Sequence, residues 1–296
     1  MARDVARRRL GVVRVTLVRR HLVAAVSLVL ALATGIALGA GPLSRETLVP
    51  TRAETPATPV APAEDEVADD LATSVAPTLT RERLSGRTVA VLATPGADQE
   101  AVDALVVGVE QAGGTVARWE IGTSLVAAGE TALVDTLGEQ LLEQLGSEVA
   151  DAEAPPYERM GQLLGVAVAT SGRSEVAGKD ETTVRQSIDA AELLTSTSEE
   201  PRLAPLVLVV LGNDTEDAIV AGLTTGLADR ARDVVVAAPE RSGDLAVVEE
   251  LGLASTVDGV DGAAGQLAAV LALGVAEDTE PGAYGASGAD GVLPLR

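Results

Sequence analysis

The stretch RTVAVLATPGADQEAVDALVVGVEQAGGTVARWEI, residues 87–121, contains the clearest structural signal in the chain. Its first part, Arg87–Thr94, is a short valine-rich run that ends at Pro-Gly, which is typical of a buried strand. Asp98 then predicts the start of a helix that continues to Ala112 with apolar residues at helical spacing. Two glycines end that helix, and a second strand, Thr115–Ile121, follows. The stretch therefore predicts one β-α-β unit.

A second unit with the same order of elements follows later in the chain. Its strand, PLVLVVL (Pro205–Leu211), is strongly apolar, and a helix (Thr215–Ala231) and a further strand (Asp233–Ala238) complete it. The repeated order indicates an internal duplication. Three more elements are predicted after it, namely a helix, a short strand and a closing helix: Ser242–Leu251, Thr256–Val257 and Asp261–Leu273.

The segment between the two units, Thr131–Ser198, is predicted to be helical. Four leucines recur every four residues in its first part, and Tyr157–Ala169 and Thr183–Leu194 are further predicted helices. Near-continuous apolar strands that alternate with helices indicate a mainly parallel sheet covered on both faces. The predicted fold class is therefore α/β, with a Rossmann-like three-layer domain over residues 84–296.

The N-terminal 44 residues predict a membrane anchor. Seven arginines and one aspartate occupy residues 1–20, whereas residues 21–44 carry no formal charge. Twenty helical residues span about 30 Å, the hydrocarbon thickness of a bilayer, and arginine-rich flanks stay in the cytoplasm. We expect a cytoplasmic segment (1–20), one transmembrane helix (21–44) in the cell membrane and an extracytoplasmic remainder. A signal peptide cleaved before Ala40 is the alternative, and it exports the same domain.

Small residues in the predicted membrane helix indicate a contact between helices. Ala31, Gly35 and Gly39 are spaced by four, which places them on one face where two helices can approach closely. Small residues are also common in membrane helices that do not pair. A homodimer or higher oligomer is therefore one of two interpretations that the sequence leaves open.

Residues 45–83 predict a linker between the membrane helix and the domain. They are rich in proline, threonine and acidic residues, a composition that does not form its own core and favours extended polyproline II structure. One short helix is expected within the linker, because Val67, Leu71 and Val75 fall four apart on one face. That stripe is a second candidate surface for dimerisation.

The charge of the chain excludes one class of partner. The net charge is −22, and residues 1–44 contribute +6, so residues 45–296 carry −28. A domain this acidic repels nucleic acid backbones and anionic lipid headgroups. The chain also contains no cysteine, which excludes disulfides and thiolate sites.

Acidic side chains follow the predicted strands, at the edge where parallel sheets bind ligands. Asp98, Asp214 and Asp258 are the candidates for holding a hard cation such as Ca²⁺ or Mg²⁺. We favour the alternative that each caps the helix that begins beside it. The sole histidine, His21, lies in the predicted membrane segment, so an exported Ser-His-Asp triad is excluded. We predict no enzymatic activity and no resident cofactor.

Two glycine patterns depart from the nucleotide-binding motifs. Gly259, Gly262 and Gly265 are evenly spaced rather than arranged as G-x-G-x-x-G, and we expect them to serve turns and helix packing. Residues 172–179 have one residue too many for a P-loop and lack the Ser/Thr after the lysine, so they predict an exposed loop.

Four stretches in chain order carry a family resemblance: HLVAAVSLVLALATGIALGAGPLSRETL (21–48), GRTVAVLATPGADQEAVDALVVGVEQAGGTV (86–116), RMGQLLGVAVAT (159–170) and PGAYGASGADGVLPLR (281–296). Together they resemble the mycobacterial copper transport protein B (MctB) family of actinobacterial envelope proteins. The resemblance implies a membrane protein of copper homeostasis and a part in a copper efflux or pore assembly. It brings no functional residues to assign.

Copper is implied by this resemblance alone. The chain offers few copper ligands, since it has no cysteine, one histidine and two methionines. The residues themselves favour an alternative function, a dimeric extracytoplasmic scaffold or regulator of cell-envelope and cell-wall processes without transport activity. Such a protein would bind an envelope protein partner.

Overall fold

The computed structural model describes residues 64–295 apart from 173, 199–200, 213–214, 241 and 276–279. The predicted membrane segment, with Ala31, Gly35 and Gly39, lies outside the described residues, and so does Asp214. Among the described residues, no helix combines the length and the apolar character needed to cross a bilayer.

A seven-stranded sheet forms the centre of the described structure. The strands are β1 (Thr88–Ala93), β2 (Thr115–Ile121), β3 (Leu194–Ser196), β4 (Leu206–Val210), β5 (Asp233–Ala237), β6 (Ser255–Val257) and β7 (Ala283–Tyr284). Their spatial order is β3-β2-β1-β4-β5-β6-β7. All neighbours are parallel except β2 and β3, which are antiparallel. This arrangement confirms the predicted mainly parallel, Rossmann-like sheet.

Helices cover both faces of the sheet. They are α1 (Glu64–Leu79), α2 (Gln99–Gln111), α3 (Thr123–Val126), α4 (Thr131–Leu145), α5 (Pro156–Val168), α6 (Lys179–Ala190), α7 (Asp217–Ala228), α8 (Leu245–Leu251) and α9 (Ala263–Val275). Alternate strand residues divide between two cores: Ala90 and Leu92 contribute to the core beneath α3–α8, and Val89 and Val91 to the core beneath α2 and α9. We call these two sides the α5–α7 face and the α2–α9 face.

The first β-α-β unit agrees closely with the sequence prediction. All six residues of β1 are buried, as expected for a central parallel strand. Asp98 caps α2, because its carboxylate accepts a hydrogen bond from the Glu100 amide at 2.9 Å. The second unit, β4-α7-β5, also lies where the sequence predicts it, although α7 begins two residues later and ends three residues earlier than expected.

Two short edge strands were not predicted. β3 lies where the sequence predicts helix up to Ser198, but its three residues pair with β2 after a helix that ends at Ala190. β7 has only two residues, Ala283 and Tyr284, which pair with β6. Strands this short contain too few residues to show a two-residue period, so the sequence pattern does not reveal them.

The predicted linker also differs from the structure. Residues 64–79 form α1, a 16-residue helix, where an extended segment with one short helix is expected. Ala72 of α1 is buried against Leu267 and Leu271 of α9. The folded body therefore includes α1, because its alanine face packs against α9 and completes a small third core.

Glycines bring α5 and α7 into close contact on the α5–α7 face. A Cβ atom added at Gly161 of α5 would lie 2.6 Å from the Leu223 carbonyl oxygen, and one at Gly226 of α7 would collide with the Glu158 carbonyl oxygen. The two helices therefore meet backbone to backbone at this crossing, which only glycine permits.

Candidate functional site

Parallel sheets of this kind commonly bind ligands at the switch point of the strand order, which here lies between β1 and β4. Here the loops after the two strands touch each other. The Gly212 amide donates a hydrogen bond to Thr94 Oγ1 at 2.7 Å, and a Cβ atom at Gly212 would collide with the Pro95 carbonyl oxygen. The cavity that Thr94 lines has a volume of about 20 Å³, which is room for about one water molecule.

A larger pocket of about 400 Å³ lies beyond the carboxyl ends of β5 and β6. Four acidic residues line it, Asp69, Glu240, Asp258 and Asp261, and we call it the acidic pocket. Its other lining residues are small or apolar: Ala68, Gly259, Gly262, Ala264, Gly265, Gly285, Ala286 and Val292. The pocket therefore combines carboxylates with little side-chain bulk, an environment that attracts cations.

The carboxylates of the acidic pocket also hold backbone amides. Asp69 accepts a hydrogen bond from the Ala264 amide at 3.1 Å, so this residue of α1 caps the start of α9. Asp261 accepts a hydrogen bond from the Glu240 amide at 2.8 Å. These bonds turn oxygens of both side chains toward the protein backbone.

Asp258 is buried, with 5% of its surface exposed, and it organises the loop after β7. Its carboxylate accepts hydrogen bonds from the amide and the hydroxyl of Ser287. A Cβ atom at Gly285 would collide with Asp258 Oδ1. The helix-cap interpretation is thus confirmed for Asp98, whereas Asp258 binds the loop after β7 rather than capping α9.

The structure does not bring the predicted cation candidates together. Asp98 follows β1 and Asp258 follows β6, and these strands are three steps apart in the sheet, or about 14 Å at 4.8 Å per step. Asp214 lies outside the described residues. In the described ranges, no group of three or more His, Cys, Asp or Glu side chains is arranged to hold a metal ion. Although four acids line the acidic pocket, the oxygens of three of them engage backbone groups.

The glycines at the mouth of the acidic pocket serve turns and packing, as predicted. Gly259 has a positive φ of 74°, which favours glycine. A Cβ atom at Gly265 would collide with the Gly259 carbonyl oxygen, so the first turn of α9 lies directly on the preceding loop.

A second concave surface, not predicted from the sequence, lies on the α2–α9 face. It is a groove of about 360 Å³ with α1 and α2 as its walls and α9 as its floor, and we call it the helix groove. Its lining is mostly apolar: Ala72, Thr73, Ala76, Pro77, Thr80, Asp103, Ala104, Val107, Gly108, Gln111, Ala263, Gln266, Leu267 and Val270. Val107 at its wall is 48% exposed. The signal in the sequence was the run of small residues on α1 and α2, which leaves space between neighbouring helices.

The apolar stripe predicted on α1 does not form one buried face. Val67 and Leu71 are 52% and 61% exposed, whereas Val75 packs beside Ala72 against α9. The alanine face is the one that docks, because small side chains let two helices approach closely. Val67 and Leu71 thus remain an exposed apolar pair.

The half-buried Arg185 of α6 links several elements on the α5–α7 face. Arg185 lies 5.2 Å from the centre of the Trp119 ring and donates hydrogen bonds to the carbonyl oxygens of Ala167 and Pro201. Burial lowers the pKa of Arg185, and the nearby Glu181 carboxylate opposes that shift. These contacts give Arg185 a positioning role between α5, α6 and β2.

Comparison with known families gives a match over nearly the whole chain. The family described as "Copper transport outer membrane protein, MctB" matches residues 17–294, which is nearly the whole chain. No curated protein matches the chain. Since the match extends from the predicted membrane segment to the end of the sheet domain, the chain belongs to the MctB family, and the resemblance in the sequence is confirmed.

Proposed function

We propose that this protein acts in copper homeostasis of the cell envelope as part of a copper-efflux assembly. The observation that carries the proposal is the family match over residues 17–294, whose description names both copper transport and the outer membrane. The match covers the α/β domain as well as the N-terminal segment. The proposed role therefore belongs to the whole chain rather than to one short motif.

The proposed topology follows the charge pattern of the N-terminus. Residues 21–44 anchor the protein in the cell membrane, the arginine-rich residues 1–20 stay in the cytoplasm, and the α/β domain lies outside the membrane. In that compartment the domain meets copper that has left the cytoplasm.

Copper is proposed as cargo rather than as a resident cofactor. The chain has no cysteine to form a Cu(I)-thiolate site. The acidic pocket attracts cations, although no three acids in the described ranges are grouped as a metal site, and carboxylate oxygens bind Cu(II) less tightly than nitrogen and sulfur ligands do. Weak, exchangeable binding suits passage of an ion rather than storage. We propose no enzymatic step.

Copper accumulation in cells tests this function. A strain lacking the protein should accumulate more copper after a copper load, and the full chain should restore the lower level. The Glu240→Gln variant should restore it only in part, whereas the exposed Glu250→Gln on α8 should restore it fully. Equal copper content with and without the protein would refute the function. If both variants restored the lower copper level equally, the acidic pocket would have no part in the proposed function.

A second candidate function is a dimeric extracytoplasmic scaffold or regulator of cell-envelope processes. The exposed pair Val67 and Leu71 favours it, because exposed apolar side chains on one helix suit a protein partner or a second copy. Sedimentation of the full chain in lipid nanodiscs should then show a dimer that Leu71→Glu dissociates. Val176→Glu, at an 80% exposed position in a distant loop, is the matched control. A monomer at all concentrations would rule out the dimer.

A further inference from the structure

Helix α9 needs a cover on the side that faces away from the sheet. Its sequence, AAGQLAAVLALGV, contains a single polar residue, Gln266. Ala268 and Leu273 belong to the core beneath α2 and α9, whereas Leu267 and Leu271 belong to the small third core with α1. A helix that is apolar on all sides is stable only when every side is buried. The outer side of α9 is therefore an apolar surface, and α1 is the element that covers it.

Few contacts hold α1 on α9. Among the α1 side chains that the structure describes, only Ala72 is buried, and Val75, Ala76 and Leu79 are half-buried beside it. Asp69 adds the hydrogen bond that caps the start of α9. An element that buries so little apolar surface opens locally at a lower free energy than the whole domain unfolds. The α1–α9 contact is thus specific in its fit but easily opened.

The connection between α1 and β1 is a tight reversal of the chain. α1 and α9 run in the same direction, because Asp69 contacts the start of α9 and Arg83 lies beside its last turn. β1 runs the opposite way, so the chain turns back between α1 and the buried Leu84. Glu82 in this turn has a φ of 59°, in the left-handed region that a residue with a Cβ atom rarely adopts. Residues 80–83 are therefore a short hinge under backbone strain.

We propose that α1 exchanges between two copies of this chain, so that α1 of each copy covers α9 of the other. The surface on α9 fits this occupant because the exchanged contact is the one that the structure already shows within a single chain. Only the hinge changes, and its extension releases Glu82 from the left-handed conformation. A short, strained hinge beside an element with a small interface favours such an exchange.

The exchange makes the acidic pocket a site shared by two copies. Ala68 and Asp69 of α1 line this pocket together with residues that follow β5, β6 and β7. In the exchanged dimer these two residues come from the partner copy, so each pocket is incomplete without it. The exchange requires neither copper nor the exposed pair Val67 and Leu71. It therefore stands or falls separately from both proposed functions.

Single-cysteine forms of the full chain in detergent test the exchange, since the natural sequence has no cysteine. A Cβ atom added at Gly262 would lie 3.5 Å from Asp69 Cγ, close enough for a disulfide after both are replaced. Mixed chains that carry Asp69→Cys and Gly262→Cys should form a disulfide between chains about ten times faster than Asp70→Cys mixed with Gly262→Cys. Oxidised glutathione as oxidant keeps copper out of the reaction. Equal rates, or no disulfide between chains, would overturn the proposal.

A locked chain separates exchange from a dimer formed by surface contact. The double variant Asp69→Cys/Gly262→Cys, oxidised while dilute, holds α1 on its own α9. It should sediment as a monomer at a concentration where the reduced form dimerises, and it should regain the dimer when the disulfide is reduced. A dimer formed through the exposed Val67 and Leu71 would survive the lock, and that result would contradict the exchange.

Variants of the hinge test the same proposal without cysteine. Glu82→Gly should lower the dimer fraction several-fold, because glycine adopts a φ of 59° without strain and so stabilises the closed monomer. Glu82→Ala removes the same charge but keeps the Cβ atom, so its dimer fraction should match that of the natural chain. If the two variants dimerised equally, the hinge would not drive the exchange and the proposal would fail.

Discussion

The two faces of the sheet are packed in opposite ways. On the α5–α7 face, α5 and α7 meet backbone to backbone at Gly161 and Gly226. On the α2–α9 face, α1 and α2 stand apart above α9 and leave a groove of about 360 Å³. A single sheet thus carries one face closed by direct helix contact and one face with room for another group.

The difference in packing indicates that one face stabilises the fold and the other is available for binding. Close packing of helices over a buried core is the usual source of stability. Adding or removing one methyl group there changes the free energy of unfolding. Space between helices contributes little to stability but can accept a ligand. We therefore expect substitutions on the α5–α7 face to change the free energy of unfolding, and substitutions in the helix groove to change binding.

The largest effect is expected at the glycine crossing. Gly226→Ala should lower the free energy of unfolding by about 3 kcal/mol, because the added Cβ atom collides with the Glu158 carbonyl oxygen. Urea unfolding followed by the fluorescence of Trp119, the single tryptophan, measures it. Gly243→Ala is the control, since a Cβ atom there meets nothing within 4 Å. Equal stability of the two variants would show that the crossing is not tight.

A smaller decrease in the free energy of unfolding is expected when the buried Arg159 of α5 is replaced. Its guanidinium pairs with Asp135 at 2.5 Å and donates to the Ala152 carbonyl oxygen at 3.2 Å. Arg159→Met should lower the free energy of unfolding by about 2 kcal/mol, less than for a fully buried pair because the Asp135 side chain is 39% exposed.

The matched control for Arg159 is Arg202→Met. Arg202 is 67% exposed and lies 3.4 Å from Glu175, so its loss should change stability by less than about 0.5 kcal/mol in the same urea titration. If Arg202→Met were as costly as Arg159→Met, burial would not be the cause of the Arg159 effect.

Asp69→Ala should lower the free energy of unfolding by about 1 kcal/mol, because it removes the cap that α1 places on α9. The neighbouring Asp70→Ala is the control, since Asp70 is exposed and its carboxylate is not a helix cap. Urea unfolding of the two full-length variants measures the difference. If Asp69→Ala did not change the free energy of unfolding, the hydrogen bond to Ala264 would not be what holds α1.

The smallest effect on stability is expected in the helix groove. Ala104→Leu adds side-chain volume where the structure has open space, so the free energy of unfolding should change by less than about 0.5 kcal/mol. If Ala104→Leu lowered the free energy of unfolding as much as Gly226→Ala does, the groove would not be open. The two faces would then not differ in packing.

The sequence predicts the parallel core of this fold well because its signals are local. β1 is a valine-containing apolar run that ends before Pro-Gly, β2 begins directly after paired glycines, and Asp98 marks the start of α2. The two edge strands, β3 and β7, are not predicted, because their pairing depends on neighbours that are distant in the chain. β3, for example, is defined by its contact with Trp119–Ile121 of β2.

Surface features are harder to predict than the core. The spacing of Val67, Leu71 and Val75 predicts one apolar face on α1, yet α9 packs against the alanine face instead. The glycine crossing has a visible signal, because Gly161 and Gly165 are spaced by four. The same spacing occurs in the predicted membrane helix, where it leaves pairing and no pairing of two helices equally open. The helix groove depends on the distance between α1 and α2, which a one-dimensional pattern does not contain.

Amide hydrogen exchange on the full chain measures both faces at once. Amides of α5 and α7 should exchange only through global unfolding, whereas those of α1 should exchange through a local opening of lower free energy. Equal protection of α1 and α5 would contradict the division between a stabilising face and a binding face.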